Sequence, residues 1–180
     1  GYIDEDEIIA LLAEESLEFE KGTVVYDLRA SKLVPEKIRE HGGNPEESRV
    51  GHTFISERIH EGGVSFAGEL SGHFYFPAFG FPWDDGLFAA ALMCRMASEE
   101  DLEEKLSGFP DYPVSPEVNL DCSNDSKQDV MERVAEEYSD YETSTMDGVK
   151  IQFEEGWALV RPSSTEPKIR LRCEAGTEEE

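Results

Sequence analysis

Apolar residues recur at helical spacing from the start of the chain. Ile8, Ile9, Leu11 and Leu12 follow Asp4 and Asp6, which predicts a helix over about 5–15 with acids at its positive end. Residues 23–28, TVVYDL, are β-branched and almost uniformly apolar, as in a parallel strand covered on both faces. A helical pattern over 32–40 then ends at Gly42-Gly43. A short strand near 46–50, a helix from Thr53 to about Glu61, strands at 64–68 and 73–76 and a helix from Asp85 to Ala97 follow. This alternation predicts an α/β domain over 1–100, with a mixed sheet in an α/β/α arrangement.

From Ser98 to Pro116 the composition shifts to acids with Gly108, Pro110, Pro113 and Pro116, which break helix and ladder alike, so 101–116 reads as a linker. The remainder, 117–180, reads as a strand (117–122), a helix (126–138) and strands near 143–146, 149–153, 157–161 and 168–174, with Asp147-Gly148 and Glu155-Gly156 as turns. One helix among short strands predicts a small α+β domain with an antiparallel four-stranded sheet. In 168–174, Ile169, Leu171 and Cys173 alternate with Arg170, Arg172 and Glu174, so one face should pack while the other stays wet.

At 180 residues the chain can bury roughly 70% of its unfolded surface, and no apolar run approaches the roughly 18 residues of a membrane span. Its 41 acidic against 16 basic residues give a net charge of -25, which excludes a general affinity for nucleic acid or anionic membranes. With only seven lysines, such an acid excess fits a salt-rich cytosol in which counterions screen self-repulsion. The melting temperature should then climb between about 0.1 and about 3 M KCl, and a flat profile would leave a merely acidic protein. Cys94, Cys122 and Cys173 fit no zinc spacing and read as reduced, small hydrophobes. The acidic N-terminus is unlike a signal peptide and points to the cytoplasm. The first residue is not Met, and Thr177, a helix N-cap type, is followed only by Glu178–Glu180, so the chain reads as a piece of a longer protein.

Charge is unevenly spread. From Gly148 to Cys173, Lys150, Arg161, Lys168, Arg170 and Arg172 face Glu154, Glu155 and Glu166, five bases against three acids. At the centre, Arg161-Pro162-Ser163-Ser164-Thr165-Glu166-Pro167 puts three hydroxyls and turn amides beside a guanidinium, a set that suits phosphate. The alternative is a Ser-rich turn among surface arginines. A second constellation is Gly68-Glu69-Leu70-Ser71-Gly72-His73, whose glycines are expected to expose Glu69, Ser71 and His73 in one loop, a donor and acceptor set for vicinal sugar hydroxyls. It also reads as a plain polar loop. Arg29 and Arg49-Val50-Gly51-His52 close strands, where α/β proteins bind ligands, whereas His60 reads as structural. His52, His60, Glu61, Glu69 and His73 match no compact metal motif, so no metal is expected, and no nucleophile signature occurs.

In this order and spacing, DLR (27–29), RVGH (49–52), GELSGH (68–73) and DGVKI with GWALVRPSSTEP (147–167) resemble the phosphohexomutase superfamily, phosphomannomutase/phosphoglucomutase in particular. The resemblance covers almost the whole chain and implies the third and most of the fourth of four domains, the final helix missing. It implies that Glu69, Ser71 and His73 grip sugar hydroxyls, that Arg29 and His52 line the same cleft, and that Arg161, Ser163, Ser164 and Thr165 hold the phosphate that is not reacting. Arg29 stands where many members carry Lys, and Ser164 where many carry Asn. The phosphoserine loop and the Asp-rich Mg2+ loop of the family have no match here, so Mg2+ is expected outside this chain and hexose 1,6-bisphosphate as intermediate. Leu70, where glucosamine-phosphate mutases tend to carry Gln, favours glucose or mannose phosphate. Expected partners are a hexose phosphate and upstream domains of the same enzyme; a stand-alone sugar-phosphate-binding module is the alternative, and the full reading frame decides between them.

Overall fold

The computed structural model describes residues 2–177 and divides into two compact units, Gly1–Asp111 and Tyr112–Glu180. In the first unit, α1 (Glu5–Phe19) starts in a capping box: Asp4 accepts from the Asp6 amide, and Glu7 accepts from the Asp4 amide. The helix runs past the expected end at 15 because Leu17 is fully buried and the Ser16 hydroxyl donates to the Leu12 carbonyl at 2.8 Å. Strand β1 (Thr23–Asp27) pairs in parallel with β2 (Asn44–Ser48) and β3 (Val64–Gly68). Two antiparallel strands complete the sheet, β4 (Phe74–Phe76) and β5 (Phe81–Asp84), in the order β2-β1-β3-β4-β5.

Strand β5 has no counterpart in the sequence reading. Pro82 argues against a strand, and β5 tolerates it because it is an edge. Helices α2 (Leu33–Glu40), α3 (His52–His60) and α4 (Gly86–Glu99) cover the sheet. Side-chain alternation sorts them: Val24 and Tyr26 of β1 pack in one cluster with residues of α1, α2 and α4, while Val25 packs in another with Ile55 and Ile59 of α3. The mixed α/β/α sheet is thus as the pattern implied.

The stretch read as a linker, 101–116, is not wholly irregular. Asp101 accepts from the amides of Glu103 and Glu104 and starts α5 (Leu102–Leu106), whose Lys105 pairs with Glu14 at 2.7 Å.

In the second unit α6 (Lys127–Glu137) packs Met131 on Val149, Ile151 and Ile169 of an antiparallel sheet, order β6-β10-β9-β8-β7. The strands are β6 (Val118–Asp121), β7 (Glu142–Ser144), β8 (Val149–Gln152), β9 (Trp157–Pro162) and β10 (Lys168–Glu174). The sheet has five strands, one more than expected, because the segment before the helix returns to cover the free edge of β10. The alternation along β10 holds for Ile169 and reverses at its end: Cys173 is exposed, while Glu174 is buried and accepts from the Trp157 indole N–H at 3.0 Å. Cys94 is exposed too, so neither it nor Cys173 is the packed hydrophobe expected of it. The cap reading of Thr177 turns on residues 178–180, which lie outside the described residues. No helix among the described residues is long and apolar enough to cross a membrane.

Candidate functional site

The carboxyl ends of three adjacent parallel strands, β2, β1 and β3, gather the chemistry of the first unit. Past β1 stands Arg29; past β2 the turn Arg49–Gly51 leads into α3, whose first residue is His52; past β3 comes the loop Glu69–His73. Gly51 takes φ +133, a conformation side chains disfavour, and so lets the chain reverse into the helix.

Asp27 is the centre of this edge. It is fully buried and accepts four bonds, from the Arg29 amide (3.0 Å), Arg29 Nε (2.9 Å), Arg29 Nη2 (2.8 Å) and the Leu70 amide (2.9 Å). One carboxylate thus sets the guanidinium and fastens the loop to β1. The sequence reading passed over Asp27 although the Asp-x-Arg spacing was visible, because an acid two residues from a base shows its direction only once the strand ends.

Glu69 departs from expectation. The loop does not expose it: only 1% of its surface is accessible, Oε1 accepts the Gly51 amide at 2.9 Å, and Oε2 is buried without a hydrogen-bond partner. Burial pushes its carboxyl above the usual range; the Gly51 amide, His73 and Arg29 oppose that rise and Asp27 adds to it. Ser71 is exposed, and the His52 and His73 rings lie 6.5 Å apart. His73 Nδ1 lies 2.7 Å from Asp84 Oδ2. The structure therefore brings Arg29, His52, Glu69 and His73 to one sheet edge, with Ser71 on the same loop. Leu70 packs against the core, Arg49 lies over the Phe54 ring at 5.0 Å, and His60 Nδ1 meets the Ser56 carbonyl at 2.6 Å.

In the second unit RPSSTEP joins β9 to β10. The Ser163 amide donates to the Lys168 carbonyl at 2.9 Å and its Oγ accepts from the Glu166 amide at 3.2 Å, so Ser163 is buried and builds the turn, while Ser164 and Thr165 stay exposed. Lys127, at the start of α6 and overlooked in the sequence, donates to the carbonyls of Ser163 and Glu166, both at 2.6 Å. It pins both sides of the turn.

The local excess of bases is smaller in effect than its count. Arg161 Nε donates to Asp147 Oδ2 at 2.8 Å, Glu166 takes both Lys168 and Arg170 at 3.2 Å, and Lys150 is buried over the Trp157 ring at 4.7 Å. Lys168 and then Arg170 hold the Glu166 carboxyl below its usual range. Asp147 sits just outside the charge window, on a turn where Gly148 has φ +93 and a Cβ would come within 2.3 Å of the Val160 carbonyl oxygen. A cavity of about 750 Å³ in this unit is lined by Val114, Phe153, Trp157 and Cys173 among others, and by none of the expected site residues.

Of the metal-capable residues singled out in sequence, His52, Glu69 and His73 share the strand ends without bringing three ligand atoms within 4.8 Å of one another. Among the described residues three donors come within 4.8 Å of one another only at Glu14, Glu18 and His41, where Lys105 already occupies Glu14 at 2.7 Å.

The model of the Phosphoglucomutase/phosphomannomutase alpha/beta/alpha domain III matches residues 4–112, and that of the Phosphoglucomutase/phosphomannomutase C-terminal domain matches residues 117–180. The phosphomannomutase of Methanocaldococcus jannaschii is 39% identical over 188 residues, covering 99% of this chain and 41% of its own length. The phosphomannomutase/phosphoglucomutase of Pseudomonas aeruginosa is 33% identical over 180 residues, covering 97% of this chain and 39% of its own. A solved structure of a phosphoglucomutase/phosphomannomutase family protein from Burkholderia thailandensis superposes with a TM-score of 0.87 at 30% identity, over 98% of this chain and 38% of that one. The chain spans about two fifths of the length of the curated relatives it matches.

Proposed function

Since the chain belongs to the phosphoglucomutase/phosphomannomutase family, we propose that it is the substrate-recognition half of a phosphohexomutase that interconverts hexose 1-phosphate and hexose 6-phosphate, of mannose or glucose. In this reading the first unit recognises sugar hydroxyls through Glu69, Ser71 and His73, with Arg29 and His52 beside them. The RPSSTEP turn takes the phosphate that is not reacting through Arg161, Ser164 and Thr165, with Ser163 shaping the turn. Phosphoryl transfer through a phosphoserine and a bisphosphorylated sugar belongs to other segments of the enzyme. Binding energy from these nonreacting groups positions the reacting end, as a sugar presented in two orientations requires.

The observation that carries the reading is Glu69 Oε2. A buried carboxylate oxygen without a partner costs about 1–3 kcal/mol, and a sugar hydroxyl donating to it removes that cost. Glu69 is only 1% exposed, so a hydroxyl meets Oε2 only once the groups that cover it move aside. The donors here do not fit Mg2+, which wants several hard oxygens in an octahedron. Asp27 is committed to Arg29 and Leu70, and Asp84 to His73 and the Phe74 amide. No step is routed through Mg2+ here.

Glu69→Gln tests the reading. Hexose-phosphate affinity should fall by about 1–3 kcal/mol while inorganic phosphate binds unchanged, both followed by calorimetry. Stability should move differently. Because the folded carboxyl is raised, wild-type stability from this group is full below the unfolded value and is lost as pH rises through the folded one. Glu69→Gln lacks that loss, so its stability relative to wild type should improve from about pH 4 towards neutrality. Parallel loss of both ligands would reduce GELSGH to a structural loop.

A further inference from the structure

The geometry points to Asp84 of β5 as the positioning residue that fixes the tautomer of His73, holding the proton on Nδ1 and leaving the Nε2 lone pair for a ligand hydroxyl. This rests on the reading of His73 as a sugar contact and adds its chemical polarity. Asp84 Oδ1 accepts the Phe74 amide at 3.1 Å, while Oδ2 lies 2.7 Å from His73 Nδ1. An ionised carboxylate only accepts, so Nδ1 must carry the hydrogen in that contact. The neutral ring then has its acceptor on Nε2.

The Asp84 carboxylate is held by its two hydrogen bonds, although its side chain is 41% exposed, and the backbone on both sides is fixed. β4 and β5 pair antiparallel with Tyr75 opposite Asp84, and the Asp85 amide donates to the Phe74 carbonyl at 2.9 Å. The His73 backbone is held as well, its carbonyl accepting the Glu69 amide at 3.0 Å. With both ends tied, the direction of the imidazole follows from β5, an edge strand that no feature of GELSGH announces.

Asp84→Asn makes the assignment testable with almost no change of shape. The Phe74 N–H still needs an acceptor, so the new amide keeps its oxygen there and turns its NH2 towards His73 Nδ1. That ring nitrogen must then accept, and the proton moves to Nε2, the inversion expected when an orienting aspartate becomes asparagine. Two-bond 1H–15N spectra of the 180-residue chain at alkaline pH, where imidazoles are neutral, read the tautomer directly. Wild-type His73 should show Nδ1 protonated, and Asp84→Asn should show Nε2 protonated with the Phe74 amide resonance retained. Asp84→Ala, which removes both bonds, should relax to the Nε2–H form that an unrestrained imidazole prefers. Titration with mannose 6-phosphate should show Asp84→Asn weakened about tenfold, and adding Asp84→Asn to His73→Ala should cost nothing further. Wild-type His73 protonated on Nε2, or a tautomer unmoved by Asp84→Asn, overturns the assignment. A correct tautomer in a chain that binds no hexose phosphate would instead overturn the mutase reading alone.

Discussion

Asp27→Ala should destabilise the first unit by about 3–5 kcal/mol, the range for breaking a buried ion pair by removing one partner. Asp27 is fully buried and the Arg29 side chain is only 16% exposed, so the substitution removes two carboxylate contacts from a largely buried guanidinium. It also orphans the Leu70 amide, which has its partner 43 residues away. Denaturant titration followed by fluorescence of Trp83, which lies in this unit, gives the loss. Asp27→Ala combined with Arg29→Ala should cost less than the sum of the two single substitutions, because each removes the same pair of contacts. A loss below about 1 kcal/mol would mean that the carboxylate is not the hub its four bonds imply.

Arg161→Ala should lower hexose-phosphate affinity by about 2–4 kcal/mol, against nearly none for Arg133→Ala on the exposed side of α6. Two effects add on the proposed reading. The guanidinium next to the RPSSTEP turn is lost, and Asp147 loses the positive charge that faces it at 2.8 Å, which makes the turn less favourable to an anion. Removing Asp147 as well should therefore recover part of the affinity, a recovery that a direct contact alone would not give. Equal effects of Arg161→Ala and Arg133→Ala would sink the phosphate assignment.

Much of the fold was legible because its signals are local. TVVYD is β-branched and apolar on both faces, which suits only a covered strand, and the Asp4 and Glu7 capping pair sits within one helical turn. The strand-end positions of Arg29, His52, Glu69 and His73 were legible too, since each follows a strand in a polar or glycine-bearing turn. Strand β5 was not, since Phe81–Asp84 exists as a strand only through pairing with β4, and its proline and missing alternation hide it.

The local run of amino acids fixes which side chains stand near a strand end; it does not fix which of them meet. Asp27 and Leu70 are 43 residues apart, Gly51 and Glu69 18, and Arg161 and Asp147 14, so each contact follows from sheet order and hairpin register. Those contacts settle the electrostatics: Glu69 is buried instead of presented, Arg161 pairs with Asp147 from outside the 148–173 window, and Lys168 and Arg170 both pair with Glu166. A charge count sees formal charges, whereas burial and partner decide their effect, and both arise only when strands distant in sequence lie side by side.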